Sequence, residues 1–194
     1  VISRMDILDA KIAEIRAKHT ERMPWPPACR VTNRIWLGSK YDVTDPVWMS
    51  DNKITHVLNC ATPVDRFDPS SVVEYACLNA DDDPGYPILN LHFATVKEFM
   101  DRALQRPDSQ ILVHCMAGIN RSATLVLAYV SQRDTTTTLQ KVERFARYFD
   151  IVMLQRPIIL MNEGFYEQLL DWVHDRPNRT RTNPTFFAIQ DRLY

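Results

Sequence analysis

Glycine and cysteine are both scarce in this chain, with four of each in 194 residues. The cysteines stand at Cys29, Cys60, Cys77 and Cys115, with no CxxC pair among them. That spacing gives neither the disulfide framework of a small secreted domain nor a zinc-ligand pattern. Excess charge is missing too: 23 Lys and Arg stand against 24 Asp and Glu, for a net charge of -1. No global basic field is therefore available to nucleic acid or to an anionic membrane. No apolar run approaches the roughly 20 residues of a membrane helix, and no secretory signal pattern opens the chain. Repeats and low-complexity blocks are absent. What remains is an ordinary globular composition, 45% hydrophobic and 24% charged, long enough for one domain with a true core. The expected setting is a reducing, intracellular one, cytoplasmic or nuclear.

The pattern along the chain divides it in three. Residues 3–20 read as a helix, with Met5, Leu8, Ile12 and Ile15 on one stripe and Ser3 at its start. "MPWPP" (23–27) breaks that helix and reads as a stiff linker. Residues 1–27 are thus an N-terminal helix and linker, and the stripe either packs on its own domain or forms a homodimer contact. Residues 28–174 carry the domain. Strand patterns occur at 34–38, 55–61, 73–80 and 111–115, with helical patterns at 91–105, 121–133, 136–149 and 163–174. Strands alternating with helices predict an α/β fold, a central mostly parallel sheet flanked by helices on both faces. Residues 175–194, rich in Pro, Asn and Arg, read as a tail in which Phe186, Phe187 and Ile189 can dock on the body.

One of the few glycines and one of the few cysteines fall together in "ILVHCMAGINRSATLVLAYV" (111–130). A short apolar run of buried-strand type ends at Cys115. A helix pattern begins at Arg121. Between them the chain must turn sharply, and Gly118 relieves the steric limit on doing so. A loop that feeds a helix N-terminus aims several N–H groups into one hollow, where the helix dipole adds positive potential. Such a nest suits a tetrahedral oxyanion. Arg121 adds a planar fork for two phosphate oxygens. The same groups favour thiolate at Cys115, because cysteines so placed have pKa values lowered from about 8.5 to roughly 3.5–7.5. Phosphate above and nucleophile below imply phosphoryl transfer through a cysteinyl-phosphate. Ser122 can donate to the sulfur and ease its departure, and His114 can orient the loop through hydrogen bonds. Met116, Ala117, Gly118, Ile119 and Asn120 then line the phosphate cradle. The plain alternative is a core cysteine at a strand end. It does not explain why His, Cys, Gly, Arg and Ser share these offsets.

"HCMAGINRS" resembles the HCxxGxxR[ST] signature of cysteine-dependent protein phosphatases. "RIWLGS", "ITHVLNCAT" (54–62) and "RPIILMNEGFYEQLLDW" (156–172) resemble dual-specificity phosphatases in particular, with Met161 where their C-terminal segment has proline. The likeness spans about residues 30–173. It implies that family's fold, a protein phosphatase activity on phosphotyrosine and phosphoserine or phosphothreonine, and phosphorylated proteins as partners. It implies no metal and no other cofactor, since loop N–H groups and Arg121 carry the electrostatic load.

The resemblance also implies a general acid, an aspartate on the loop after the preceding strand. That segment is "EYACLNADDDPGYPILNLHF" (74–93), with three aspartates in a row. Counting from Tyr75 and from Pro84 selects Asp82. Counting back from Phe93 and Cys115 selects Asp83. The strand fixes direction more rigidly than the loop, which favours Asp82. Phosphoinositide-directed relatives carry lysines in the cradle, and this loop has none, so phosphoproteins lead. Apolar Ile119 at the rim can meet an aromatic ring. Asn120 directly before Arg121 also resembles RNA 5′-triphosphatases, although the near-neutral charge leans against RNA. A substrate-binding module of the same fold is the non-enzymatic alternative. Its usual mark is loss of the cysteine or arginine, and both are present. Cys60, ending "THVLNC", reads as a buried thiol, with a disulfide to Cys115 under oxidation as the second reading.

Overall fold

Successive side chains of a strand point to opposite faces, so the unbroken apolar run at 111–113 demands cover on both sides of its sheet. The computed structural model, which describes residues 10, 26–133 and 140–176, meets that demand. Five strands, β1 (Cys29–Arg30), β2 (Ile35–Gly38), β3 (His56–Asn59), β4 (Glu74–Cys77) and β5 (Ile111–His114), form one sheet in the order β1-β2-β5-β3-β4. Short β1 is antiparallel to β2, and the other pairings are parallel. Ile35, Leu37, Leu58, Ile111 and Val113 enter the larger core, while Trp36, Val57 and Leu112 enter a smaller one.

The larger core is closed by α3 (Ile88–Gln105), α4 (Arg121–Arg133), α5 (Lys141–Gln155) and α6 (Glu163–Val173). In α4 every residue from Ser122 to Ser131 is buried. Such a helix is buried on all sides, which explains its nearly continuous run of small and apolar residues. The smaller core is covered by α1 (Lys40–Val43) and α2 (Pro46–Asp51) through Val43 and Met49. Among the described residues no helix is long and apolar enough to cross a membrane.

The α/β expectation holds. The strand pattern at 55–61 shortens to β3, and that at 73–80 to β4. Helix α3 starts three residues before the expected 91, because Pro87 supplies the entry and Ile88 and Leu89 are already buried. Apart from residue 10, the expected N-terminal helix over 3–20 lies outside the described residues, as do most of the 175–194 tail and the start of the helix expected at 136. Sequence reading missed α1, α2 and β1. Each of the three is too short to show a period. Two of them carry their signal in caps: Ser39 and Asp42 form a capping box at α1, and Asp45 caps α2 ahead of Pro46.

The register sets Gly38, Asn59 and His114 side by side, with Cys77 next to Asn59. Ser39, Cys115, Cys60 and Leu78 therefore follow one another along the carboxyl edge, where ligands of open parallel sheets bind. The outer edge of β1 is capped by the Gln155 amide, which accepts from Arg30 N at 3.2 Å and donates to Arg30 O at 2.9 Å. Leu58 stands fully buried at the centre of this framework. Leu58→Ala should lower unfolding stability by roughly 2–5 kcal/mol in urea titrations with an unchanged m-value.

Candidate active site

Strand β5 ends at His114, and the next residue, Cys115, is 1% exposed. Its Sγ accepts from Gly118 N at 3.2 Å and from Ser122 Oγ at 3.3 Å. Gly118 has φ +71, the left-handed region. A Cβ there would lie 2.4 Å from Gly38 O and 2.6 Å from Arg156 Nη2. Glycine is thus required twice, by conformation and by space.

The carbonyls of the loop are all occupied from outside the hollow. Met116 O accepts from Lys40 N at 3.2 Å, and Ile119 O from Leu160 N at 2.8 Å. Ala117 O and Gly118 O accept from Arg156. Asn120 O accepts from Thr124 N within α4. In a trans peptide the C=O and the following N–H point oppositely. Outward carbonyls therefore turn the N–H edges toward the space above Cys115. Leu160, which braces Ile119, is itself at φ 56, a costly conformation for a branched side chain.

Arg121 opens α4 at the rim. Its Nη1 donates to Ala80 O at 3.0 Å, and its Nε lies 3.5 Å from Asp82 Oδ2. Asp82 is the aspartate that the fold brings to Arg121. Its carboxylate also accepts from Asn120 Nδ2 at 3.1 Å and from Asn162 Nδ2 at 2.9 Å. Asp83 instead accepts from Gly85 N at 2.7 Å, closing a local turn. The side chain of Asn120 is engaged internally, since its Oδ1 also accepts from Asn162 N at 3.0 Å.

The aspartate loop is docked on α6. Pro84 lies so close to Gly164 that a Cβ on that glycine would come 1.8 Å from Pro84 O. Gln168 Nε2 donates to Tyr86 O at 2.9 Å, and the Tyr86 hydroxyl meets His92 Nε2 at 2.6 Å. Asn162, Gly164 and Gln168 escaped the residue-by-residue reading of the sequence. They sit inside "MNEGFYEQ", the stretch singled out for its resemblance, so a signal for them existed.

His114 is buried, with Nδ1 3.2 Å from Cys115 O and Nε2 without a hydrogen-bond partner. A carbonyl only accepts, so Nδ1 carries the proton. Burial pulls its pKa down from 6.5 to about 4. Cys60 follows the same ladder, Cys60 N donating to His114 O at 2.8 Å. Burial, then the neighbouring Cys115, push the Cys60 thiol up.

Two predictions follow from this geometry. The unfolded chain binds a proton at His114 below about 6.5, whereas the native state does so only near 4. Stability should therefore fall as pH drops from about 6.5 toward 4, His56 and His92 acting in the same direction. Urea unfolding across that range should flatten in His114→Asn, by at most about 1.4 kcal/mol per pH unit. Gly164→Ala should displace Pro84, read in a crystal structure or as faster hydrogen exchange over residues 81–86.

The same architecture occurs in solved proteins. The crystal structure of DUSP15 superposes with a TM-score of 0.61 at 28% identity, covering 76% of this chain and 88% of that one. Dual specificity protein phosphatase 26 of Homo sapiens is 32% identical over an alignment of 154 residues that covers 74% of this chain and 67% of the relative. Dual specificity protein phosphatase 13B of Mus musculus is 33% identical over an alignment of 147 residues that covers 71% of this chain and 70% of the relative. The sequence profile of the family described as dual specificity phosphatase, catalytic domain, matches residues 35–175. That match takes in both the cradle and the aspartate loop, and by it the chain belongs to the dual specificity phosphatases, a family of protein phosphatases with a cysteine nucleophile.

Proposed function

We propose that this chain hydrolyses phosphotyrosine and phosphoserine or phosphothreonine in proteins, with Cys115 as nucleophile and Asp82 as general acid. The observation that carries this reading is the placement of Cys115 Sγ at the base of a loop whose carbonyls all face away, with Arg121 and Asp82 paired at its rim. Phosphate enters the hollow against the inward N–H groups and the Arg121 guanidinium. The thiolate attacks phosphorus, and the bond to the leaving oxygen breaks. Arg121 turns to the phosphate dianion and releases Asp82, whose carboxyl gives a proton to the departing phenoxide or alkoxide. In the second step Asp82 takes a proton from water, which attacks the cysteinyl-phosphate. The Ser122 hydroxyl, 3.3 Å from Sγ, donates to the leaving thiolate. His114 positions the main chain at Cys115 and stays neutral.

Met116, Ala117, Ile119 and Asn120 bring no positive charge to the cradle, which favours a single phosphate on a protein over a polyphosphorylated lipid. The RNA reading rested on Asn120, and that side chain is taken by Asp82 and Asn162. It is not favoured.

Cys115→Ser should abolish turnover of phosphotyrosine and phosphothreonine peptides while retaining phosphopeptide binding. Asp82→Asn should lower kcat by roughly 10²–10⁴-fold, whereas Asp83→Asn keeps kcat near that of the unmutated chain. Steady-state kinetics on both peptides decides it. Full activity in Cys115→Ser overturns the mechanism, and a larger loss in Asp83→Asn than in Asp82→Asn reassigns the acid.

A further inference from the structure

Arg156, just after α5, is the largest fully buried side chain of the described residues. Among the described residues no carboxylate accepts a hydrogen bond from it. Its acceptors are four main-chain carbonyls from two distant parts of the chain. Nη1 donates to Pro26 O and Pro27 O, both at 2.6 Å. Nη2 donates to Ala117 O at 3.0 Å and Gly118 O at 3.4 Å. Its Nε has no hydrogen-bond partner among the described residues. Burying a cation without a directly bonded anion is costly, so the four carbonyls must repay it in structure.

The two sets of acceptors have different meanings. Ala117 and Gly118 belong to the phosphate loop, and their carbonyls determine how Gly118 N–H and Ile119 N–H face the hollow. Gly118 N–H is the one that reaches Cys115 Sγ. Pro26 and Pro27 lie upstream of the family-matched residues 35–175. The next residue is also held, because Ala28 N donates to Asp42 Oδ1 at 2.9 Å. That carboxylate takes Ser39 N at 2.7 Å and Ser39 Oγ at 2.8 Å with its other oxygen. Residues 26–28 are thus gripped at their carbonyls by Arg156 and at an N–H by Asp42. Both grips stand directly behind the cradle.

We propose that Arg156 is a positioning residue for the phosphate loop, and that by sharing its guanidinium it makes Pro26–Pro27 part of that loop's support. The proposal rests on the phosphate-binding reading of the loop given above. A planar guanidinium can hold both pairs of carbonyls at once, one from each terminal nitrogen. A lysine ammonium has three donors at one point and can hold only one pair. Without the bridge the 117–119 peptides are free to rotate, and inward N–H groups are lost from the nest.

The test uses the full chain, with Arg156→Lys and Arg156→Met beside the unmutated protein, and inorganic phosphate as the probe. Phosphate affinity is read from competitive inhibition of phosphopeptide turnover and from the phosphate-induced rise in Tm. Arg156→Lys should bind phosphate about tenfold more weakly, with KM raised in proportion, as loss of a charge-assisted hydrogen bond implies. Arg156→Met should lose more. A merely structural role lowers Tm without phosphate but leaves the affinity unchanged. Folded variants with unchanged phosphate affinity therefore overturn the proposal.

Should neither variant fold, hydrogen exchange on the unmutated chain decides. Coupling is reciprocal, so bound phosphate should slow exchange at the Ala28 amide as well as at Gly118. Slowing at Gly118 with no change at Ala28 overturns the shared support. If the unmutated chain binds no phosphate at all, the reading of the loop falls, and this proposal with it.

Discussion

The cradle depends on where five carbonyl groups go. From Met116 to Asn120 each finds a donor outside the hollow, and the donors come from α1, from the residue after α5, from the segment before α6 and from α4. An N–H group can face a phosphate only if the carbonyl joined to it is satisfied elsewhere, since a buried unpaired carbonyl costs about 1–3 kcal/mol. The anion site is therefore a property of the whole carboxyl edge of the sheet.

The aspartate loop obeys a related rule. Asp82 has no rigid strand beneath it. Two amides, Asn120 and Asn162, hold its carboxylate, and the Gly164–Pro84 contact holds the backbone behind it. The loop is thus fixed by α6, an element that comes 80 residues later in the chain than Asp82. The placement of Asp82 beside Arg121 arises from packing against the start of α6, and a reading confined to "DDDP" could not contain it.

What was legible in the sequence follows from that distinction. Strand β5 and helix α4 were readable because their signals are local: an apolar run, a lone glycine, an arginine and then an apolar helix. Cys115, Arg121 and Ser122 came with them, since their relation is fixed by sequence offset. The two counts along the aspartate loop disagreed by one residue because loop length carries no register; the hydrogen bond from Asn162 to Asp82 depends on the fold. Arg156 was invisible for another reason. It opens "RPIILMNEGFYEQLLDW", but only the fold, by enclosing it among carbonyls, makes it a structural centre. Helices α1 and α2 were missed because a helix of one turn shows caps but no period.

The amide of Gln155 has a consequence for how this protein meets others. Its side chain imitates a neighbouring strand, offering Arg30 one acceptor and one donor in the spacing a backbone would. The β1 edge of the sheet is thereby already paired, by a helix. Strand addition from another chain would first have to expel that amide. Recognition by extended backbone is thus directed away from this side of the molecule, and a helix end acts as the selvedge that keeps the sheet from growing.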